Sequence, residues 1–595
     1  GGGIYATELG WLDESISIDQ CTFSRNVAVS GGGLYQDNVK DLVVTRNEFV
    51  ENIAQMGAGI SLFLHPATIG GAPGTGNSFI NNQARRGADL FCRDYTSVRH
   101  DASYNYFLGC YRSEYNVTPQ FDFDLTGCTS SSSNDVQEVY VSATGDDTND
   151  GLTWDSAFRT ISHATTQICG SIEHPVTINL DQGEYSATNT GESFPILLCS
   201  HVTIKGLSAD STILNAENFS RVFEVFDSQN CAIHHLTIKG GEENRGGGIY
   251  VTHGDLELRD VELSYNNANY GGGIYLDNSV LQMTGCRLTH NTSSNYGAGI
   301  HGHYSVLRSF DCYFSENSTS EDGAGIFLRT SSAGDSVIEN CWFESNYARS
   351  GAGVMASLGY YESLLVSGCT FIRNKASLKG AFYFCGHTDG FLDINECQFL
   401  DNSSYYGGGL NVLCDISHIN VVNCLFAGNK GQRDFQNWNP EAGAAYLWLR
   451  ERSDVNFVNC TFANNMQTND GCAIKIEAEA DSSTTFINCI LWNDEPLEIN
   501  WDSGAEPAVS FSLVKGGFAG EGNIQGDPLF MNGEFGSYYL RQDCDGDAPY
   551  SACIDAGSAN AAELQYETFN ETRFFNQLTT RTDDQTDSGG IDIGY

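Results

Sequence analysis

One motif recurs through most of the chain: C-x-F-x-x-N in most copies, then a short spacer, then G-G/A-G-I. It reads Cys21-Thr22-Phe23-Ser24-Arg25-Asn26 followed by Gly31-Gly32-Gly33-Leu34. It returns as Cys286 to Asn291 with Gly297-Ala298-Gly299-Ile300, and as Cys312 to Asn317 with Gly323-Ala324-Gly325-Ile326. From Asn266 the motif asparagines step by 25, 26, 29, 28, 28, 27 and 36 residues. A period near 27 that varies by a few residues is that of a solenoid with loop insertions. Each unit is too small to bury an apolar face alone and must stack on its neighbours.

The residues before each Cys decide between helix and strand. Positions −5 and −3 are apolar: Ile16 and Ile18, Leu281 and Met283, Leu364 and Val366, Leu392 and Ile394, Val455 and Phe457. The residues between them vary freely, which is the period-two pattern of a half-buried strand. The Phe two residues after the Cys continues the inward set. The glycine run opens another strand with an inward aliphatic, as at Ile249, Ile274, Ile300 and Ile326. The expected fold is therefore all-β, a parallel β-helix rising about 4.8 Å per coil. A repeated Asn at the corner suits a left-handed backbone and a ladder of side-chain hydrogen bonds from coil to coil.

Charge excludes several partners. The chain has 30 Lys+Arg against 75 Asp+Glu, a formal charge of −45. Nucleic acid is not expected as a partner, because phosphate recognition needs clustered cations. A basic patch on anionic lipid is equally unexpected. No run of 18 apolar residues exists, so no direct membrane insertion is expected. With 65 Gly but only 10 Pro, the glycines read as tight bends inside ordered structure.

The organisation reads as two solenoid sections joined by a short Ser-rich linker. Residues 1–128 are the C-terminal part of a first β-helix, opening in mid-repeat at Gly1-Gly2-Gly3-Ile4-Tyr5, so the true start is expected to be missing. Residues 129–137 are the linker. Residues 138–175 form an N-terminal cap, in which Ala157, Ile161, Ala164 and Ile168 share one helical face over Ser156 to Ile168. Residues 176–515 are the main β-helix of roughly a dozen coils, and 516–595 a closing segment.

These motifs resemble known families. The F-x-x-N plus G-G/A-G-I units resemble the repeats of polymorphic outer-membrane proteins and related pectin-lyase-like right-handed β-helix proteins. Tyr140 to Ala164 resembles the opening of bacterial β-helix modules. Gly526-Asp527-Pro528-Leu529-Phe530, then Cys553-Ile554-Asp555-Ala556-Gly557 and the final G-I-D-I-G-Y, resemble the closing segment of secreted bacterial proteins, where it often precedes a surface-anchoring region. The resemblance implies right-handed coils and a secreted or cell-surface location. It does not imply one activity, because this fold carries lyases, hydrolases, adhesins and passive stalks.

Of 20 cysteines, nine occupy one repeat slot, from Cys21 and Cys286 to Cys489, where other coils carry Asn47, Asn77 and Val261. A small buried side chain suits that slot, and the expectation is a ladder of reduced thiols. Cys544 with Cys553 is the leading disulfide candidate, ahead of Cys110 with Cys128 and Cys169 with Cys199. No organic cofactor is expected. Calcium is the one candidate ion, at Asp543, Asp545 and Asp547, or at Asp146, Asn149 and Asp150, where acids alternate around a glycine. A solvated acidic turn explains both loops as well.

An enzyme on this scaffold needs converging acids and a base. The outward columns four and two residues before each Cys hold no adjacent acids. Glu257, Arg259 and Arg308 are their only close charged group, and surface ion pairing accounts for it. A site built on an inserted loop, such as Gln432 to Glu441, is the route left open. The column after the inward aliphatic is aromatic instead: Tyr5, Tyr35, Ser61, Phe91, Tyr250, Tyr275, His301, Phe327, Met355, Phe384, Asn411 and Leu447. With glycine in the preceding outward slot, Tyr250, Tyr275 and Phe327 are expected to form an uncovered binding face for a glycan or another surface protein, self-assembly included. Ring-on-ring stabilisation alone is the bland alternative. The reading is thus a non-catalytic extracellular spacer, adhesin or assembly subunit, with a polysaccharide lyase or glycoside hydrolase on acidic polysaccharide as runner-up.

Overall fold

The computed structural model describes all residues except 1, 8–14, 38, 40, 64–66, 81, 87–89, 94–99, 102–104, 109–112, 117–122, 125–128, 131–136, 169–171, 173, 227, 331–333, 433–439, 467–471, 480, 495–496, 534–535, 542–549, 561–564, 568–571, 575–590 and 595. The chain divides into two units. One comprises Gly1–Gly183, Thr188–Lys205 and Val225–Cys231, the other Glu184–Ala187, Gly206–Glu224 and Ala232–Tyr595.

In the first unit, the repeats build three five-stranded parallel sheets and one three-stranded sheet. Successive coils each add one strand to the five-stranded sheets, so Ile4 pairs with Leu34, and Phe23 with Phe49. Inward residues such as Leu34, Leu42, Phe49, Ile60 and Phe79 form a core. The same unit holds Glu138–Val141, a 3₁₀ turn Trp154–Ser156 and the helix Ile161–Gln167, capped by Thr160, whose side chain accepts from the His163 amide. Ala157, Ile161, Ala164 and Ile168 are all buried. The buried Glu192 carboxylate accepts from the Ile161 and Ser162 amides at 2.7 and 2.9 Å, meeting donors a helix leaves open at its start.

In the second unit, each coil runs from the glycine strand to the pre-Cys strand, turns at the Cys, and passes through the Phe strand and the strand after the Asn. The Phe strands stack into a thirteen-stranded parallel sheet ending at Leu513–Val514. The post-Asn strands form an eight-stranded sheet from Glu242–Arg245 to Lys430–Gly431. Along the core axis Phe314, Phe343, Phe371, Phe399, Phe426 and Phe462 stack nearly face-parallel, with centroids 4.6–4.8 Å apart. That spacing is the inter-strand distance itself, so the backbone ladder sets the ring stack.

The asparagine ladder is continuous from Asn266 to Asn493. Asn374 shows the unit: its backbone N and Nδ2 donate to Asn402 Oδ1 at 2.9 and 3.1 Å, and Nδ2 also donates to the Phe343 carbonyl at 2.8 Å. The left-handed backbone falls on the residue before the ladder Asn, not on the Asn, with φ of 54° at Arg373 and 52° at Asp401. The corner turns one residue earlier than the sequence suggests, which leaves the Asn side chain inward and along the axis.

The Cys slot is a second acceptor column. The Cys341 amide donates to Cys369 Sγ at 3.4 Å and the Cys369 amide to Cys397 Sγ at 3.4 Å. In the first unit the Cys21 amide donates to Asn47 Oδ1 and the Asn47 amide to Asn77 Oδ1. At the far end the Cys489 amide donates to Ser512 Oγ. Cys, Asn and Ser are thus interchangeable because each receives the preceding coil's N–H, a stronger reason than size alone. The slot cysteines are free thiols.

The ladder ends on an acid. Asn493 donates from N and Nδ2 to the Glu498 carboxylate at 2.8 and 2.6 Å. Burial, 6% exposed, pushes Glu498 up to about 7 from 4.5; the bonds from Asn493 and the charge of Lys515 oppose this, and Asp494 adds to it. A folded-state pKa above the unfolded one stabilises most below pH 4.5, and that contribution is lost as pH rises through 7. The shift corresponds to about 3 kcal/mol. Denaturant titrations of wild type and Glu498→Gln are expected to diverge by about that amount between pH 4.5 and pH 8, with only the wild type losing stability on this account. Parallel curves would show that Glu498 does not titrate there.

Beyond the last coil, Leu540, Cys553 and Ile593 pack on Ile490 and Leu513. Asn488 and Ser558 exchange hydrogen bonds at 3.1 and 2.9 Å. This covers apolar surface that an end coil exposes. Cys553 is a buried free thiol pushed up to about 12 by burial. Its candidate partner Cys544 lies outside the described residues, as do Cys110, Cys128 and Cys169.

Candidate functional site

In the second unit the glycine run forms a corner between the eight-stranded sheet and the glycine strands. Gly271, Gly297, Gly323 and Gly351 hold φ between 58° and 72° there, a conformation that disfavours any Cβ. A Cβ on Gly273 or Gly299 would also meet a carbonyl oxygen of the next coil at 2.6 or 2.4 Å. Three outward columns flank the corner. The wall column, before the glycines, carries Arg245, Tyr270, Tyr296, Asp322, Ser350, Lys379, Tyr406 and Glu441. The floor column, after them, carries Tyr250, Tyr275, His301, Phe327, Met355, Tyr383, Asn411, Tyr446 and Lys475. Two residues further along each strand, Asp277, His303, Arg329, Cys385, Trp448 and Glu477 form the far column.

Floor and wall side chains touch across the corner. Tyr270 meets His301 at 5.6 Å and Tyr296 meets Phe327 at 4.8 Å between centroids. Tyr406 meets Tyr446 at 4.8 Å. Arg221 lies over Tyr250 and Arg245 over Tyr275, at 4.6 and 5.3 Å. Such cation–ring contacts hold the rings in place.

This register corrects the expected aromatic column in two ways. Phe384 and Leu447 point into the core, and Tyr383 and Tyr446 take their places. The coil at Lys379-Gly380-Ala381-Phe382 has Lys379 and Ala381 in place of the first and third glycines, so counting from the motif slips by one residue. The rings are also not uncovered. Tyr250 and Phe327 are half-buried, but Tyr275 is only 4% exposed. Burial pushes the Tyr275 phenol up to about 12 and holds the His301 imidazole down at about 3, hence neutral.

Two charged clusters lie along the groove. In the first, Arg349 pairs with Asp322 through Nε and Nη2, both at 3.2 Å, and with Glu321 at 3.0 Å. One coil on, Lys379 Nζ donates to Tyr383 Oη at 2.7 Å. Burial lowers Lys379 and raises Tyr383. In the second, Lys475, 5% exposed, pairs with Asp502. Glu441 lies near it and is raised, by burial first and by Glu477 and Asp502, against the pull of Lys475. The Tyr446 phenol is raised by burial and by the Glu477 carboxylate it meets.

Glu441 closes the inserted loop named above, of which residues 433–439 lie outside the described residues, and Glu477 stands outside the two columns before the Cys. There, as expected, Glu257 and Arg259 form a surface pair at 2.7 Å. The readable signals were Glu441, closing the long insertion immediately before Ala442-Gly443, and Glu477, two residues past the floor Lys475.

The loop at Asp146 uses its own donors. Asp146 accepts from the Thr148 amide and hydroxyl at 2.9 and 2.8 Å, and Asp150 from the Leu152 amide and Ser156 hydroxyl at 3.0 and 2.6 Å. Asn149 donates to the Ala157 carbonyl. Among the described residues no group of three or more His, Cys, Asp or Glu is placed to hold a metal ion. Asp543, Asp545 and Asp547 lie outside the described residues. No helix among the described residues is long and apolar enough to cross a membrane.

Residues 247–426 match a family model described as "Right handed beta helix region". None of the curated proteins matches the chain in sequence. Among solved structures, the chain is similar to pectate lyase Pel9A, with 12% identity, a TM-score of 0.34, and 78% of this chain and 98% of that one covered. The A-module of mannuronan C-5 epimerase AlgE6 from Azotobacter vinelandii shares 13% identity over 60% of this chain and 92% of that one, with a TM-score of 0.25. Pectin methylesterase PemA from Erwinia chrysanthemi shares 10% over 46% and 80%, with a TM-score of 0.21. The fold is a right-handed parallel β-helix, all-β apart from one short helix and a 3₁₀ turn among the described residues.

Proposed function

We propose that this chain is an extracellular glycan-binding β-solenoid, secreted or at the cell surface, that holds an extended sugar chain in the corner beside the glycine strands. One observation carries the reading: from Arg245 and Tyr250 to Lys475, floor and wall place an aromatic ring or a cation in every coil except the one at Ser350 and Met355. Sugar rings stack on aromatic faces, and hydroxyls bond to Arg, Lys and Tyr at the edges. A linear groove suits a linear ligand. The fold alone does not choose this function, since it also serves enzymes.

The test replaces Tyr250, Tyr275 and Phe327 by Ser and measures retention on immobilised neutral, amino and uronic glycans, with and without calcium. Intact far-UV dichroism is the check on folding. Losing three ring contacts is expected to weaken retention at least about tenfold. The calcium arm tests the two acidic loops as ion sites, and sedimentation of the same samples tests assembly. Equal retention by wild type and variant on every glycan would remove these rings from the function.

A further inference from the structure

We infer that the Lys475 amine and the Asp502 carboxyl condense to an amide, an isopeptide bond that the chain forms by itself between two neighbouring coils. The inference stands apart from the glycan-binding reading, because it needs no ligand.

The register of the last glycine-side strands brings the pair together. Lys475 lies in Cys472–Ala478, and the next coil supplies Leu497–Ser503. Lys475 pairs in register with Asn500 and Ile476 with Trp501, but Glu477 pairs with Ser503. Asp502 is therefore the extra residue of a β-bulge, a feature that re-aims a side chain. Without the bulge Asp502 would stand directly beside Glu477, where like charges repel. With it, Ser503 takes that place, and the Asp502 carboxylate meets the Lys475 ammonium.

Burial sets this contact apart from a surface ion pair. Among the described residues, Lys239, Lys475 and Lys515 meet carboxylates. The side chains of Lys239 and Lys515 are 31% and 36% exposed, but that of Lys475 only 6%. An ammonium taken out of water is costly even when it is paired. An amide removes both charges at once, so the site itself favours the condensation. Amine and carboxyl are already held in contact, which supplies the proximity that the same reaction lacks between free groups.

The reaction closes on its own atoms. One proton passes from the Lys475 ammonium to the Asp502 carboxylate, leaving both groups neutral. The Nζ lone pair then forms the bond to Asp502 Cγ. Nζ loses a second proton, the bond from Cγ to the protonated oxygen breaks, and water leaves. One ammonium and one carboxylate thus give one amide and one water. The Asp502 side chain is more than half exposed, at 57%, so the released water has an exit. Glu441 is the neighbouring acid that can relay the second proton. It is half-buried, and burial holds it towards its protonated form while the Lys475 charge opposes this.

The bond would tie the coil of Lys475 to Leu497–Ser503, the last glycine-side strand of its sheet. A stack of coils opens first at such an end, where a strand has a neighbour on one side only. The rings from Tyr250 to Tyr446 stay in place, and only the Lys475 charge leaves the groove floor.

The experiment measures the intact mass of the full chain under denaturing and reducing conditions, then maps its protease fragments. The wild type is expected to be lighter than its sequence by one water and to yield a branched peptide joining Lys475 to Asp502. Lys475→Arg and Asp502→Ala should both show the full sequence mass. Asp502 is exposed, so Asp502→Ala is expected to keep the wild-type far-UV dichroism, which separates loss of the bond from loss of the fold. Glu441→Gln should slow formation of the bond by about 10²-fold or more, and an unchanged rate would overturn its part in the proton path. A wild type of full sequence mass, without the branched peptide, would overturn the inference. A loss of water that persists in Asp502→Ala, or a branched peptide joining Lys475 to Glu441, would overturn it equally.

Discussion

Replacing Phe371 by Ala is expected to destabilise the β-helix by about 3–5 kcal/mol. Phe371 is fully buried, with Phe343 and Phe399 parallel to it at 4.7 and 4.8 Å and Phe382 edge-on at 5.8 Å. The cavity cannot close, because hydrogen-bonded strands hold both neighbouring rings one coil away. Phe371→Leu refills part of the space and should cost less than half as much. Equilibrium urea unfolding gives both numbers. Equal losses for Leu and Ala would show that the stack collapses around a gap, against the rigid spacing described here.

The second large effect is expected at Asn374. Its Oδ1 accepts from Asn346 N and Nδ2 at 3.1 and 3.0 Å, and its Nδ2 serves the Phe343 carbonyl. Ala at this position removes the acceptor of the Asn346 amide and of one Asn346 Nδ2 hydrogen, and the side-chain donor to the Phe343 carbonyl, although Asn346 Nδ2 keeps the Phe314 carbonyl at 2.9 Å; the cost is about 3 kcal/mol. Asn374→Asp matches the shape but cannot donate, and it sets a carboxylate against the Phe343 carbonyl and Asn402 Oδ1 with no cation in the ladder. Asp should therefore be worse than Ala. A packing-only account predicts the reverse order, and urea midpoints of the two variants decide between them.

Much of this architecture was legible in the repeat. Period-two alternation before the Cys fixed the strand type, and the Phe and Asn positions marked the core stack and the ladder. Those features are local and recur in every coil, so chance matches average out. Two things were less legible. The left-handed residue sits one place before the Asn, because hydrogen bonds to the next coil, invisible in one repeat, decide which residue turns. The groove was half legible: Tyr250, Tyr275 and Phe327 do share a column, but Tyr383 and Tyr446 were displaced by coils that break the glycine pattern. Glu441, Glu477 and Lys475 come together across columns and across an insertion, and no single column shows that. The acidic loop at 543–547 and the pairing of Cys544 fall outside the described residues.

The central claim is that a sugar chain lies in the corner between wall and floor. A crystal structure of the chain with a saturating xylo- or chito-oligosaccharide tests it most directly. The account predicts successive sugar rings along that corner, against Tyr250, Phe327 and the residues from Tyr383 to Trp448, spanning several coils. Oligosaccharide bound on the thirteen-stranded face, with the corner empty, would contradict it.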